Sequence, residues 1–177
     1  MEPFASASEP SRLRLRAYLG DEAARRELGL PLQVAQEPLY EWSFGIGAWG
    51  QPAAVRAALA AAELCEALRR ERHGDGPRAA DVTAALAALE GWLRDDPPAR
   101  ERLRALLDEA WLDGREDWLT RTALVTATSA MTAAAAPPEP PTGYAGAAAR
   151  AVLNALRVAP EARVREVVRT RLLSWSG

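Results

Sequence analysis

The chain has no lysine, and cysteine and histidine occur once each among its 177 residues. A zinc or iron site needs several Cys, His or carboxylate ligands converging at bonding distance, so a protein zinc site is close to excluded. The lone thiol, Cys65, rules out an intramolecular disulfide and suits a reducing compartment. No stretch approaches 18 uninterrupted apolar residues, and the longest candidate, Ala123 to Ala136, is mostly Ala and Thr, so no membrane-crossing helix is expected. The opening Met1-Glu2-Pro3-Phe4 lacks a basic region followed by an apolar one, so no secretory signal is expected and a cytoplasmic location is. A basic excess is also missing. The formal charge of −2 and a pI near 5.6 argue against a general nucleic-acid binder. Glycine-rich phosphate loops, a nucleophilic serine elbow and a metalloprotease helix are all absent. The only strand-like alternation, Leu13 to Ala17, is short and flanked by helix formers.

Alanine dominates what is present, with 39 of the 177 residues. Large apolar side chains are correspondingly scarce, so the core is expected to consist of closely approaching helices joined by Leu and Trp anchors. All 22 basic residues are arginine, which together with the alanine excess points to a GC-rich bacterial genome. The length fits one domain, which can bury roughly 70% of the surface its unfolded form exposes, enough to need no disulfide or metal.

Periodicity predicts an all-α fold, an antiparallel helical bundle or short stack of helical hairpins with about seven to eight helices. Residues 1–10 read as a frayed tail, and 11–177 as a single helical domain. Ser11 is a plausible N-cap for a first helix, and Asp21 for a short second one that stops at Gly29. Residues 31–51 are broken by Pro and Gly around Trp42, Phe44, Ile46 and Trp49, and read as a packed loop or one short aromatic helix closing an end of the core. Pro52 opens the clearest helix, with Val55, Leu59, Ala62 and Cys65 near one face. Val82, Leu86, Leu89 and Leu93 mark the next helix, Leu103, Leu106, Leu107, Ala110 and Trp111 a third, and a longer one runs from about Arg115 to Ala136. The proline-rich stretch 137–143 is a stiff surface loop, and two amphipathic helices separated by Pro160 finish the chain.

Few residues carry chemistry. Cys65 and His73 could form a nucleophile pair, but no third group joins them, and a core thiol beside a surface-turn histidine explains both. From Asp81 to Thr120 ten acids face five arginines, for a net −5, whereas Tyr144 to Gly177 holds six arginines and two glutamates, for +4. Paired carboxylates can bind a cation or act as acid and base. Many of these acids sit at helix starts, where capping already accounts for them. The acidic middle could equally pair with the arginine-rich last helix. Trp92, Trp111 and Trp118 lie on or beside apolar stripes and are expected in the core. Trp42 and Trp49 are the better candidates for partial exposure, and tryptophan is enriched at binding hot spots. The candidate partner-binding residues are therefore Asp95, Asp96, Asp113, Glu116 and Asp117, with Trp42 and Trp49. No catalytic, cofactor-binding or metal-binding residue is expected.

The Ala-rich helix from Val55 to Arg72, a Gly-Asp-Gly-Pro-Arg turn at 74–78, the AALAALEGWLRDD helix of Ala84 to Asp96 and a further Ala/Arg helix follow one another in an order that resembles the Ala-rich helical immunity proteins encoded beside bacterial polymorphic toxins. The opening LRAYLGDEAARRELGL, Leu15 to Leu30, is similar to the start of uncharacterised myxobacterial proteins of like layout. The resemblance covers about half the chain and implies a protein that binds and neutralises a cognate toxin, through the acidic middle segment. An adaptor or interaction module in a bacterial signalling or defence system is the alternative, with the arginine-rich last helix or the Trp42–Trp49 segment as its contact. A carboxylate-dependent enzyme comes last. The partner expected is another protein, with no nucleic acid, membrane or cofactor, and an Ala-rich face also permits self-association.

Overall fold

A computed structural model describes residues 9–32, 37–76, 78–108 and 116–176. Among these, nine α-helices and one 3-10 turn occur and no strand. The sequence expectation of an all-α bundle is met, with one or two more helices than the hydrophobic stripes had distinguished.

Helix α1 covers Glu9–Tyr18 and α2 Glu22–Glu27. The first therefore begins before Ser11, which lies inside it rather than capping it, and residues 9 and 10 belong to a helix instead of a tail. Asp21 does cap α2, its carboxylate accepting from the Ala24 N–H at 3.1 Å. The aromatic segment forms α3, Leu39–Ile46, and a 3-10 turn, Gly47–Trp49, before α4, Gln51–His73. Helices α5 (Ala79–Leu93), α6 (Pro97–Asp108), α7 (Trp118–Ala135), α8 (Thr142–Ala155) and α9 (Glu161–Ser176) follow. Thr142 and Gly143 already belong to α8, so the exposed proline-rich connection is shorter than 137–143.

Helix α4 is the central post, packed by α3, α5, α7, α8 and α9, with α6 outside α5. Three contacts show that α7 runs antiparallel to it. Gln51 reaches the carbonyls of Ala133, Ala134 and Ala136, Cys65 meets Thr126, and His73 meets Asp117. Alanine makes this closeness possible, because a methyl group lets helix axes approach. Ala54, Ala57, Ala58 and Ala61 of α4, Ala123, Ala127 and Ala130 of α7, and Ala147, Ala148 and Ala151 of α8 are all fully buried. The threonines of α7 enter this interface with their hydroxyls satisfied locally. Thr122 donates to Trp118 O at 2.9 Å and Thr126 to Thr122 O at 2.7 Å. Leu59, Leu89, Leu103, Leu124 and Leu172 are the large anchors.

Two tryptophans exchange their expected places. Trp42, on α3, is only 7% exposed, whereas Trp118, expected in the core, is 56% exposed at the first position of α7. Trp92 is partly buried, and Trp111 lies outside the described residues. No described helix is long and apolar enough to cross a membrane.

Candidate functional site

The chain from α4 to α9 runs up and down, so the starts of α4, α6 and α8 meet the ends of α5, α7 and α9 at one end of the bundle. There a cleft of about 950 Å³ opens. Its lining includes Arg12 of α1, Arg56 of α4, Trp92 and Arg94 near the end of α5, Asp95 and Arg100 around the start of α6, and Trp175 of α9. Among the described residues four guanidinium groups thus face one carboxylate, beside two indole rings and Tyr144.

Arg56 is the centre of this arrangement. Its guanidinium lies 4.3 Å from the centroid of the Trp175 ring, a stacked cation–π geometry. Its hydrogen bond to its own helix is long, 3.4 Å to Pro52 O. Among the described residues no carboxylate comes within ion-pair distance of Arg56 or Arg12. Burial, then the nearby Arg171, pushes Arg56 down to about 10, so the cation is held where water compensates it poorly. Arg94 sits 3.8 Å from Glu90, a loose pair, and Arg100 donates to Asp95. A guanidinium fork presents parallel donors that match a carboxylate or phosphate bidentately, and the indole walls suit an apolar or planar neighbour of that anion.

The acidic candidates do not form one surface. Asp95 and Asp96 lie at the start of α6, and Glu116 and Asp117 follow its end, separated by a helix of about 18 Å. Asp95 lines the cleft and Asp96 is exposed. The Glu116 side chain is 3% exposed and 4.0 Å from Arg121. Asp117 caps α7, accepting from the N–H groups of Leu119 and Thr120 and from the Thr120 hydroxyl, with His73 at 3.1 Å. Asp113 lies outside the described residues. Trp42 is buried under Arg165, 5.0 Å from its ring, and Trp49 is partly buried against Tyr18.

The arginines of α9 mostly serve the fold. Arg165 pairs with Glu161 and donates to Glu37 O, Arg169 donates to Gly20 O at 2.9 Å, and Arg171 joins Glu63 and Glu90. Part of the acidic middle and the basic last helix therefore do meet inside the molecule. Cys65 is buried beside Thr126, and burial pushes its thiol up to about 11, away from any nucleophilic role. His73 ends the same helix and turns to Asp117 rather than to Cys65. Among the described residues no group of three or more His, Cys, Asp or Glu side chains could hold a metal ion.

The cleft escapes a reading of charge blocks because its arginines come from three separated segments, around residues 12, 56 and 94–100. One local signal was available. Arg56 is the single charge between Gln51 and Ala62, in a stretch, 53–62, otherwise alanine, leucine and valine, where a cation needs a reason to be. The chain matches no protein-family model, no curated protein and no solved structure.

Proposed function

We propose that this chain is a non-enzymatic binding protein that takes an acidic segment of another protein into the arginine–tryptophan cleft. The observation that carries the reading is Arg56, a half-buried cation stacked on Trp175 with no carboxylate partner among the described residues. A cation held this way gains most from an anion supplied from outside, because the site has already lost part of its water. The cleft volume lies at the upper end of the range for small-molecule pockets, roughly 300–1,000 Å³, which leaves room for several side chains of a partner. An acidic overall charge and the lack of a phosphate loop favour a protein partner over a nucleic acid or a nucleotide. A toxin bearing such a segment would make this an immunity protein, in line with the resemblance in the sequence. A signalling partner would make it an adaptor through the same cleft.

The test is a titration with a short synthetic peptide of glutamates flanking one phenylalanine, followed by tryptophan fluorescence and calorimetry. Saturable binding that weakens with added salt is expected. Arg56→Gln should lower the affinity about tenfold or more, since charged hydrogen bonds are worth about 1.5–3 kcal/mol. Arg56→Lys, which keeps the charge but not the fork, should fall between. No saturable binding, or equal affinity in the Gln variant, would overturn the reading.

A further inference from the structure

Among the described residues three helices end in the same hydrogen-bonded turn, in which the residue after the C-cap takes left-handed backbone. At the end of α1 that residue is Gly20, φ +86, its N–H donating to Ala17 O while Asp21 N–H donates to Arg16 O. At the end of α2 it is Gly29, φ +64, donating to Arg26 O while Leu30 N–H donates to Arg25 O. At the end of α5 it is Asp95, φ +62, donating to Trp92 O at 3.1 Å while Asp96 N–H donates to Gly91 O at 3.0 Å. Glycine fits this position because it has no Cβ to crowd the following carbonyl, and any side chain there is disfavoured. The chain uses glycine at two of the three ends. At the third, which is the one that borders the cleft, it places a carboxylate and aims it at Arg100.

We propose that Asp95 is a built-in competitor for the cleft, occupying Arg100 until the carboxylates of an acidic partner displace it. The inference rests on the acidic-segment reading of the cleft and adds how that site selects its ligand. A tethered carboxylate is present at high effective concentration, so a lone small anion gains little at Arg100. A segment with several carboxylates also reaches Arg56 and Arg12, and that combined gain lets it replace Asp95. The Arg100–Asp95 pair is light enough to yield. Its side chains are 45% and 54% exposed, and exposed pairs are worth no more than about fivefold in an equilibrium constant.

Calorimetric titration of the same glutamate–phenylalanine peptide into the wild type, Asp95→Asn and Asp96→Asn tests this. Asparagine tolerates left-handed backbone and Asp96 is exposed outside the cleft, so the third protein measures the general effect of losing one negative charge. Asp95→Asn should bind about three- to fivefold tighter than the wild type, and Asp96→Asn should change by less than about twofold. The gain should vanish in the double variant Asp95→Asn/Arg100→Gln, which should match Arg100→Gln alone. Asp95→Gly offers a second route, and should show the same tighter binding together with a raised melting temperature. If Asp95→Asn and Asp95→Gly bind no tighter than Asp96→Asn while Arg56→Gln still weakens binding, the competitor role is wrong and the cleft reading survives. If no protein in the series binds the peptide, both fall.

Discussion

At the scale of single residues, the buried pair Arg69–Glu66 says most about how this molecule tolerates charge. Arg69 has no exposed surface. Glu66, one turn earlier, accepts from its Nε at 2.6 Å and from its Nη2 at 2.9 Å, and the remaining Nη1 donates to the Gly74 carbonyl at 3.1 Å. A buried cation is acceptable only when its donors are met this fully. Removing the carboxylate strands the charge, so Glu66→Ala is expected to lower the unfolding free energy in urea by about 3 kcal/mol. A loss below about 1 kcal/mol, within the range of exposed pairs, would mean that water reaches Arg69. The sequence around it, Ala67 to His73, reads as a solvated charged helix end, and nothing local marks one of three arginines as buried. Trp42 and Trp118 depart from the sequence expectation for a similar reason. Side chains lean toward the start of their helix, so Trp118, directly after the N-cap Asp117, has no preceding turn to cover and projects past the helix end. Trp42 sits among glycines that suggest a loop, yet it is buried with Arg165 of α9, far away in sequence, over its ring.

Helix ends divide by how far their partners lie along the chain. Asp21 before α2, Pro52 at the start of α4 and Gly29 after α2 were legible because cap and capped group are within a few residues. The end of α7 was not. Its last carbonyls are met by Gln51, whose side-chain amide nitrogen lies 2.8 Å from Ala133 O, 3.1 Å from Ala134 O and 2.8 Å from Ala136 O, more than 80 residues away. One amide thus satisfies a helix end that alanine side chains cannot, and fixes the start of α4 against the end of α7 beside the cleft. Gln51→Ala is expected to cost about 1–3 kcal/mol in chemical unfolding, because these carbonyls are only partly accessible to water. Hydrogen exchange should show the loosening first in the last turn of α7. Unchanged protection there would mean that solvent replaces the amide without loss. The cleft shares this non-local origin, since its walls come from six helices and none of them displays it alone.

Over the whole molecule, a chain with two more negative than positive charges still forms a basic concavity, because its acids are used elsewhere. Several cap helices or hold internal arginines, and their ionisation is tied to folding. Asp21 is held below its ordinary 3.8 by the N–H of Ala24, then by Arg16. Burial raises Asp117, but hydrogen bonds from the Thr120 hydroxyl and backbone, with the His73 side chain, outweigh it and leave that carboxyl lowered too. A carboxyl whose folded value lies below its unfolded one binds fewer protons in the native state. Its contribution is fully present above the unfolded value and is lost as pH falls through that value toward the folded one. The unfolding free energy should therefore keep the full contribution of these two groups, with no pH dependence from them, between neutrality and about pH 5, and should drop below about pH 4 as the unfolded chain takes up their protons. Asp21→Asn/Asp117→Asn keeps cap acceptors at both positions but removes the titration. Urea unfolding across this range should give a shallower acid limb for that variant than for the wild type. An equally steep limb would assign the acid sensitivity to carboxylates other than these two caps.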